Sequence, residues 1–174
     1  MNEIINYIDS RYQLCYPEFK YFGLGEITDK SKDRFPVTVD TRDKISLNDR
    51  YDAVVWHREI SGSAVDNEDF SFGLRTEKQF NVTIRTIVAY KVELGEQLKF
   101  DFIDSFPQLE VGDVEGYLLM DVSPGSINLD HEAVAEQEQI HTRYEKSRIC
   151  WNIFSFDNEI QFIQCPDSSP ACNR

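Results

Sequence analysis

The sequence is short of positive charge. Its 174 residues contain 18 Lys and Arg against 31 Asp and Glu, a formal net charge of −13. Proteins that wrap nucleic acid need clustered Lys and Arg to displace counterions from phosphates, so this balance argues against that class. It is compatible with a surface that DNA slides past, because a negative wall repels phosphate.

The sequence also lacks long apolar runs. No window approaches 18 uninterrupted apolar residues, and Met1-Asn2-Glu3-Ile4-Ile5 lacks the basic region and apolar run of a signal peptide. We therefore expect no membrane partner and a chain that folds in the cytoplasm. Its four cysteines should be mainly reduced there.

Catalytic, cofactor and metal motifs are lacking as well. There is no Gly-x-Ser-x-Gly elbow, and Gly23 and Gly25 are followed by neither a third spaced glycine nor a Gly-Lys-Ser/Thr. His131-Glu132 lacks the second histidine of a helical zinc motif. The acidic run 66–69 lacks the alternate-ligand spacing of a calcium loop.

The remaining titratable candidates favour structural roles. His57 lies in a predicted strand, where a hydrogen-bonded sheet histidine is the preferred interpretation. Asp101 and Asp104 cannot be singled out for acid–base chemistry in so acidic a chain. We predict no catalytic, cofactor-binding or metal-binding residues, no cofactor and no enzymatic activity.

The sequence has enough apolar residues for one folded domain. Apolar residues make up 41% and aromatic residues 13%, which predicts a single domain over 1–165 and a flexible tail over 166–174. The spacing of Ile4, Ile5, Ile8 and Tyr12 predicts an amphipathic N-terminal helix. We expect this helix to end near Cys15, because Pro17 follows Tyr16.

Alternation of apolar and polar residues predicts strands, most clearly over Gln79–Lys91. Further strands are expected at 35–39, an edge strand because of Pro36, at 51–60 and at 114–122. Apolar residues spaced by four from Leu94 to Phe106 predict a second helix, which Pro107 would stop. The predicted class is α+β: an antiparallel β-sheet or sandwich flanked by the N-terminal helix and this mid-chain helix.

Two polar stretches predict projecting loops, near 61–69 and 128–147. Within the second, Asp130 could cap a helix, but the many Glu and Gln residues leave such a helix little apolar face. The segment 130–147 is therefore either an exposed helix or a long extended arm.

The C-terminal part predicts a hairpin. Strands over 148–156 and 159–164 would flank a two-residue turn at Asp157-Asn158. This register places Cys150 opposite Cys165, close enough to allow a disulfide. The alternatives are two reduced thiols acting as small apolar side chains, or a metal site completed by Cys172.

The order of these elements resembles that of the tail-terminator and neck-ring proteins of tailed bacteriophages, including those of crAss-like phages. The similarity covers roughly Met1 to Gln164 as a pattern of elements. The resemblance implies a structural virion protein of the head–tail connector, made in the host cytoplasm. It also implies a closed homo-oligomeric ring of six or twelve copies, adjacent portal, ring or tail proteins as partners, and genomic DNA passing through the lumen. Arms and sheet edges of such proteins contact neighbouring subunits.

A second hypothesis is a non-catalytic, sheet-based module that binds a small ligand or carbohydrate. It requires exposed aromatic residues on one face of a sheet. Trp56, Tyr90 and Trp151 are the candidates, although each also fits a core.

Overall fold

The structure is a computed structural model that describes residues 1–25, 37–39, 45–47, 50–65, 79–105, 112–114, 117–141 and 150–164. It is an α+β fold, as predicted. The helices are α1 (Asn2–Cys15), α2 (Gln97–Asp104) and α3 (His131–Gln137). The strands are β1 (Lys20–Leu24), β2 (Val37–Val39), β3 (Ile45–Leu47), β4 (Ala53–Val65), β5 (Gln79–Lys91), β6 (Gly112–Val114), β7 (Tyr117–Asn128), β8 (Ile140–His141) and β9 (Trp151–Gln164).

The central element is a six-stranded sheet with the order β1-β4-β5-β9-β7-β6. Only β1 runs parallel to its neighbour in it, and the other pairs are antiparallel. A smaller sheet has the order β2-β3-β8, which leaves β2 at an edge, as predicted for the strand over 35–39. None of the described helices is long and apolar enough to cross a membrane.

The most periodic segments have the predicted structure. Helix α1 ends at Cys15 and buries Ile4, Ile5, Ile8 and Tyr12. Strand β5 has the predicted limits. Helix α2 is shorter than its apolar spacing suggested, because Gly95 adopts a positive φ of 89° after a 3-10 turn over Val92–Leu94.

The two faces of the central sheet carry separate cores. One face packs against α1 and α2, with Phe102 of α2 fully buried among aromatic rings. The other face packs against α3 and the small sheet around Trp56 and Trp151. The described residues of this second core cover one end of the long strands, and beyond Arg58 and Arg85 several side chains on that face are polar. They include Ser63, Asn81, Thr83, Glu159 and Gln161.

The predicted C-terminal hairpin is wrong. Strand β9 runs without a turn through Asp157 and Asn158, which pair with Arg85 and Ile84 of β5. Partners across the sheet outweigh the turn preference of an Asp-Asn pair, because both side chains find hydrogen bonds inside the ladder. The register that opposed Cys150 to Cys165 therefore does not exist. Cys150 is exposed, while Cys165 and Cys172 lie outside the described residues.

The predicted loop near 61–69 is wrong in its first half. Residues 61–65 continue β4 and pair with 79–83 of β5, because pairing along β5 compensates the weak strand preference of the Ser and Gly residues. Residues 66–69 lie outside the described part of the chain.

In the second predicted loop, the helix alternative is correct for His131–Gln137. The Asp130 carboxylate accepts hydrogen bonds from the backbone N–H groups of Glu132 and Ala133. Residues 140–141 form β8, and 142–147 lie outside the described residues. Strand β7 also continues past its predicted end, through Pro124, where a register shift follows and no described strand lies on its outer side.

Candidate functional site

A buried chain of polar side chains connects α1 to three adjacent strands. His57 of β4 is fully buried; its Nε2 lies 2.7 Å from Asp9 Oδ1 on α1, and its Nδ1 lies 3.0 Å from Thr86 Oγ1 on β5. The Asn158 amide on β9 donates to Thr86 Oγ1 over 2.7 Å. We call these four residues the His57 network.

The hydrogen bonds of the His57 network have one consistent direction. An ionised Asp9 carboxylate only accepts, so Nε2 of His57 donates to it. With a neutral imidazole, Nδ1 accepts from the Thr86 hydroxyl, whose oxygen accepts from the Asn158 amide. The imidazole nitrogens of His57, the Thr86 hydroxyl and the Asn158 amide nitrogen all have partners, which lets a polar column lie inside an apolar core, although the Asn158 Oδ1 atom is buried without a hydrogen bond. The prediction that His57 is a hydrogen-bonded sheet residue is confirmed.

The order Thr86, His57, Asp9 matches that of a nucleophile, a base and an orienting carboxylate. Two features oppose that use. Thr86 and His57 are both 0% exposed, so no substrate atom reaches the hydroxyl. Asp9 also belongs to the helix that covers the site, so moving α1 to admit a substrate would break the chain. The network therefore holds α1 against the sheet.

A second polar cluster lies on the opposite face, where the core ends. Arg85 binds Asp157 through Nε at 2.7 Å and Nη2 at 3.1 Å, and Ser126 Oγ donates to the same carboxylate at 2.6 Å. Arg58 lies opposite Arg85 in the pairing of β4 with β5. Its Nη1 contacts both carboxylate oxygens of Glu138, at 3.2 and 3.3 Å. The contacts of Asp157 join β5, β7 and β9, and the Arg58–Glu138 pair joins β4 to the residue that ends α3.

The pKa values of the two carboxylates of this cluster are shifted in opposite directions. Burial raises the pKa of Glu138 above its ordinary value, against the pull of Arg58. Burial also disfavours the charge of Asp157, but hydrogen bonds from Arg85 and Ser126 bring its pKa below the ordinary value. Charged Asp157 is therefore stabilised by the fold, whereas charged Glu138 is destabilised.

We expect D157N and E138Q to have opposite pH profiles. D157N should lower the free energy of unfolding by about 2 kcal/mol at neutral pH, and the loss should shrink as the pH falls through the Asp157 pKa. E138Q should be nearly neutral or stabilising at neutral pH, because the wild type loses stability as the pH rises through the raised Glu138 pKa. Urea unfolding between pH 3 and 8 measures both. Parallel profiles would contradict the assignment.

An open groove of about 550 Å³ lies between α1 and β1. Polar residues of α1 line one side, among them Asn6, Asp9 and Ser10, and Tyr21 lines the other. Burial and the Asp9 carboxylate raise the pKa of Tyr21, so its hydroxyl keeps its proton. Asp9 is already bonded to His57, so the groove offers mainly amide and hydroxyl groups.

The exposed charged side chains on β7, α3 and β9 are acidic. The described segments after residue 100 contain ten Asp and Glu and no Lys or Arg. Asp121, Asp130, Glu132, Glu136 and Glu159 are exposed. We call these five residues the acidic surface. Among the described residues, Arg58 and Arg85 lie on the same face of the sheet and bind Glu138 and Asp157.

The other residues considered from the sequence do not come together. Trp56 and Trp151 are buried in one core and Tyr90 in the other, so they form no exposed aromatic face. Asp101 and Asp104 are exposed on α2, and His131 is exposed on α3. Within the described segments, no group of three or more His, Cys, Asp or Glu could hold a metal ion.

Sequence reasoning found His57 but not its partners. A usable signal was present: Thr86 interrupts the apolar inward positions of β5, and Asn158 does so on β9. An inward polar residue on adjacent strands indicates a buried hydrogen bond. Asp9 gave no such signal, because a polar residue on an amphipathic helix is expected to face water.

No protein-family model matches the sequence, and comparison with curated proteins gives no significant match.

Proposed function

We propose that the chain is a non-catalytic structural subunit of a phage head–tail connector, which assembles into a closed ring through which DNA passes. Six or twelve copies would form the ring, between the portal and the tail. The order of elements supports this proposal: an N-terminal amphipathic helix, a largely antiparallel sheet of long strands, and a mid-chain helix.

The acidic surface is the observation that carries the proposal. DNA must move through a connector without sticking, and a wall of carboxylates without free cations repels phosphate. Within the part of the chain that the structure describes, the acidic surface on β7, α3 and β9 has this character. We therefore propose that it faces the lumen, with partners of the portal, ring and tail type bound above and below.

Light scattering of the full chain over a concentration series, with negative-stain images, tests the assembly. We expect rings of six or twelve copies, alone or on an added portal ring. Failure to form rings under both conditions would contradict the proposal.

The placement of the acidic surface has its own test. The variant D121K/E132K/E136K should still form rings but retain duplex DNA in a gel-shift assay at low salt. Each substitution replaces an acidic side chain by a lysine and so raises the net charge by two, which changes it from −13 to −7 for the three together. The control E18K/E93K/D104K makes the same change at exposed positions elsewhere. Equal DNA retention by the two variants would contradict a lumen lined by the acidic surface.

The groove between α1 and β1 favours a second candidate, a binding module for a polar small ligand or carbohydrate. Its amide and hydroxyl groups suit the hydroxyl groups of a sugar. A monomeric protein whose binding to a glycan array is lost in N6A would favour this function over the ring. An array without binding would exclude it.

A further inference from the structure

The outer edge of β4 is exposed over half its length. Strand β1 pairs with β4 only as far as His57, whose carbonyl oxygen accepts from Gly25 at 2.9 Å. Beyond Arg58, no described strand pairs with this edge. Residues 59–64 are all exposed, with Ile60 44% exposed. Such an edge presents backbone N–H and C=O groups to an added strand.

On the opposite side of the sheet, β7 has features that discourage the addition of a further strand, whereas the β4 edge lacks most of them. Strand β7 carries Pro124, the charged Asp121 and two register shifts, which are features that discourage strand addition. The β4 edge has one shift, at Ile60, and neither charge nor proline over residues 60–65. A head-to-tail continuation of the sheet from β4 to β7 is therefore disfavoured.

The charge of the chain indicates which strand would fit. With a net charge of −13, two copies repel each other at most surfaces, and a basic partner is attracted to the carboxylates. Residues 60–65 of β4 carry no charge, so a basic partner would form no ion pair there. This edge is instead a surface on which two acidic copies can approach without like charges meeting.

We propose that residues 59–65 of β4 pair antiparallel with the same residues of a second copy, around a two-fold axis at Gly62. In this register, Gly62 of one copy lies opposite Gly62 of the other. Ser61 lies opposite Ser63 of the second copy, and these two hydroxyl groups can hydrogen-bond. Both central sheets then form one continuous sheet. The contact is isologous, because both copies use the same surface.

This contact goes beyond the proposed ring and does not depend on it. A two-fold pair could exist in solution without a ring, and a ring with different partners above and below needs heterologous contacts at other surfaces. Ring formation and pairing at β4 can therefore fail independently.

Charge variants test the register in the full chain. S61E/S63E places like charges opposite each other twice, so the dimer dissociation constant should rise about tenfold or more. S61K/S63E places opposite charges at the same two points and should restore pairing. Both positions are exposed, so the fold should persist, which circular dichroism checks. Sedimentation velocity over a concentration series gives the dissociation constants.

A cysteine at Gly62 gives a second measurement. Residues opposed across antiparallel strands lie about 4.5–5.5 Å apart at Cα, within reach of a disulfide. A Cβ at this position would meet Glu59 Oε1 at 3.0 Å, the mobile end of an exposed side chain that can move away. Under mild oxidation, G62C should therefore form a 62–62 disulfide, located by peptide mass spectrometry. A64C should not link to itself, because position 64 lies opposite position 60.

The results separate the proposals. A dimer lost in S61E/S63E, restored in S61K/S63E and linked in G62C supports pairing at β4, whether or not rings are seen. A strict monomer, or a dimer or ring unchanged by S61E/S63E, overturns it. A monomer that binds an added extended peptide at this edge would overturn the second copy as the occupant.

Discussion

Replacing His57 by alanine is expected to lower the free energy of unfolding by about 3–5 kcal/mol. The imidazole is fully buried and bonds to Asp9 and Thr86. Its removal leaves a carboxylate with no partner for its buried oxygen, and leaves a cavity between α1 and the sheet. Urea unfolding at one fixed protein concentration, followed by circular dichroism, measures the loss.

His131→Ala is the matched control, because His131 is exposed on α3. Its effect should lie within about 0.5 kcal/mol of the wild type. D9N keeps an acceptor for Nε2 of His57 and should destabilise the fold less than H57A. Equal effects of H57A and H131A would contradict the role of the network in holding α1.

The second large effect is expected for Phe102→Ala, a loss of about 3–5 kcal/mol. Phe102 is fully buried and is the only buried residue of α2. Its ring stacks on Tyr12 with centroids 4.4 Å apart and lies 5.7 Å from Phe19 and 6.2 Å from Phe154. Truncation removes the main contact of α2 with α1 and the sheet, because the other apolar residues of the helix that pack on this core, Leu98 and Ile103, are only partly buried.

Phe100→Ala is the control for this experiment. Phe100 lies on the same helix and is 43% exposed, so its truncation should cost less than about 1 kcal/mol. F102L keeps most of the volume and should lie between the two. If F102A and F100A unfold at the same urea concentration, α2 is not anchored through Phe102.

The acidic surface and the β4 edge carry different parts of the proposed assembly. One lets DNA pass without binding, and the other joins two copies. The charge-reversal variant of the acidic surface is measured by DNA retention. The variants of the β4 edge are measured by the dimer dissociation constant, so the two proposals are tested separately.

The sequence by itself determined the class of fold, the limits of α1 and β5 and the acidity of the molecule. These are local properties: helix α1 follows from an apolar spacing of three and four, and β5 from alternation over 13 residues. The structural role of His57 also followed from its place in a predicted strand beside Trp56 and Arg58.

The tertiary structure alone decided the features that depend on distant partners. Asp157 and Asn158 form a strand because Arg85 and Thr86 bind them from 72 residues away. Residues 61–65 extend β4 because β5 lies beside them. Asp9 faces the core because His57 lies beneath α1. A turn or loop preference is worth about 1 kcal/mol or less, whereas a ladder hydrogen bond and a buried ion pair together exceed it.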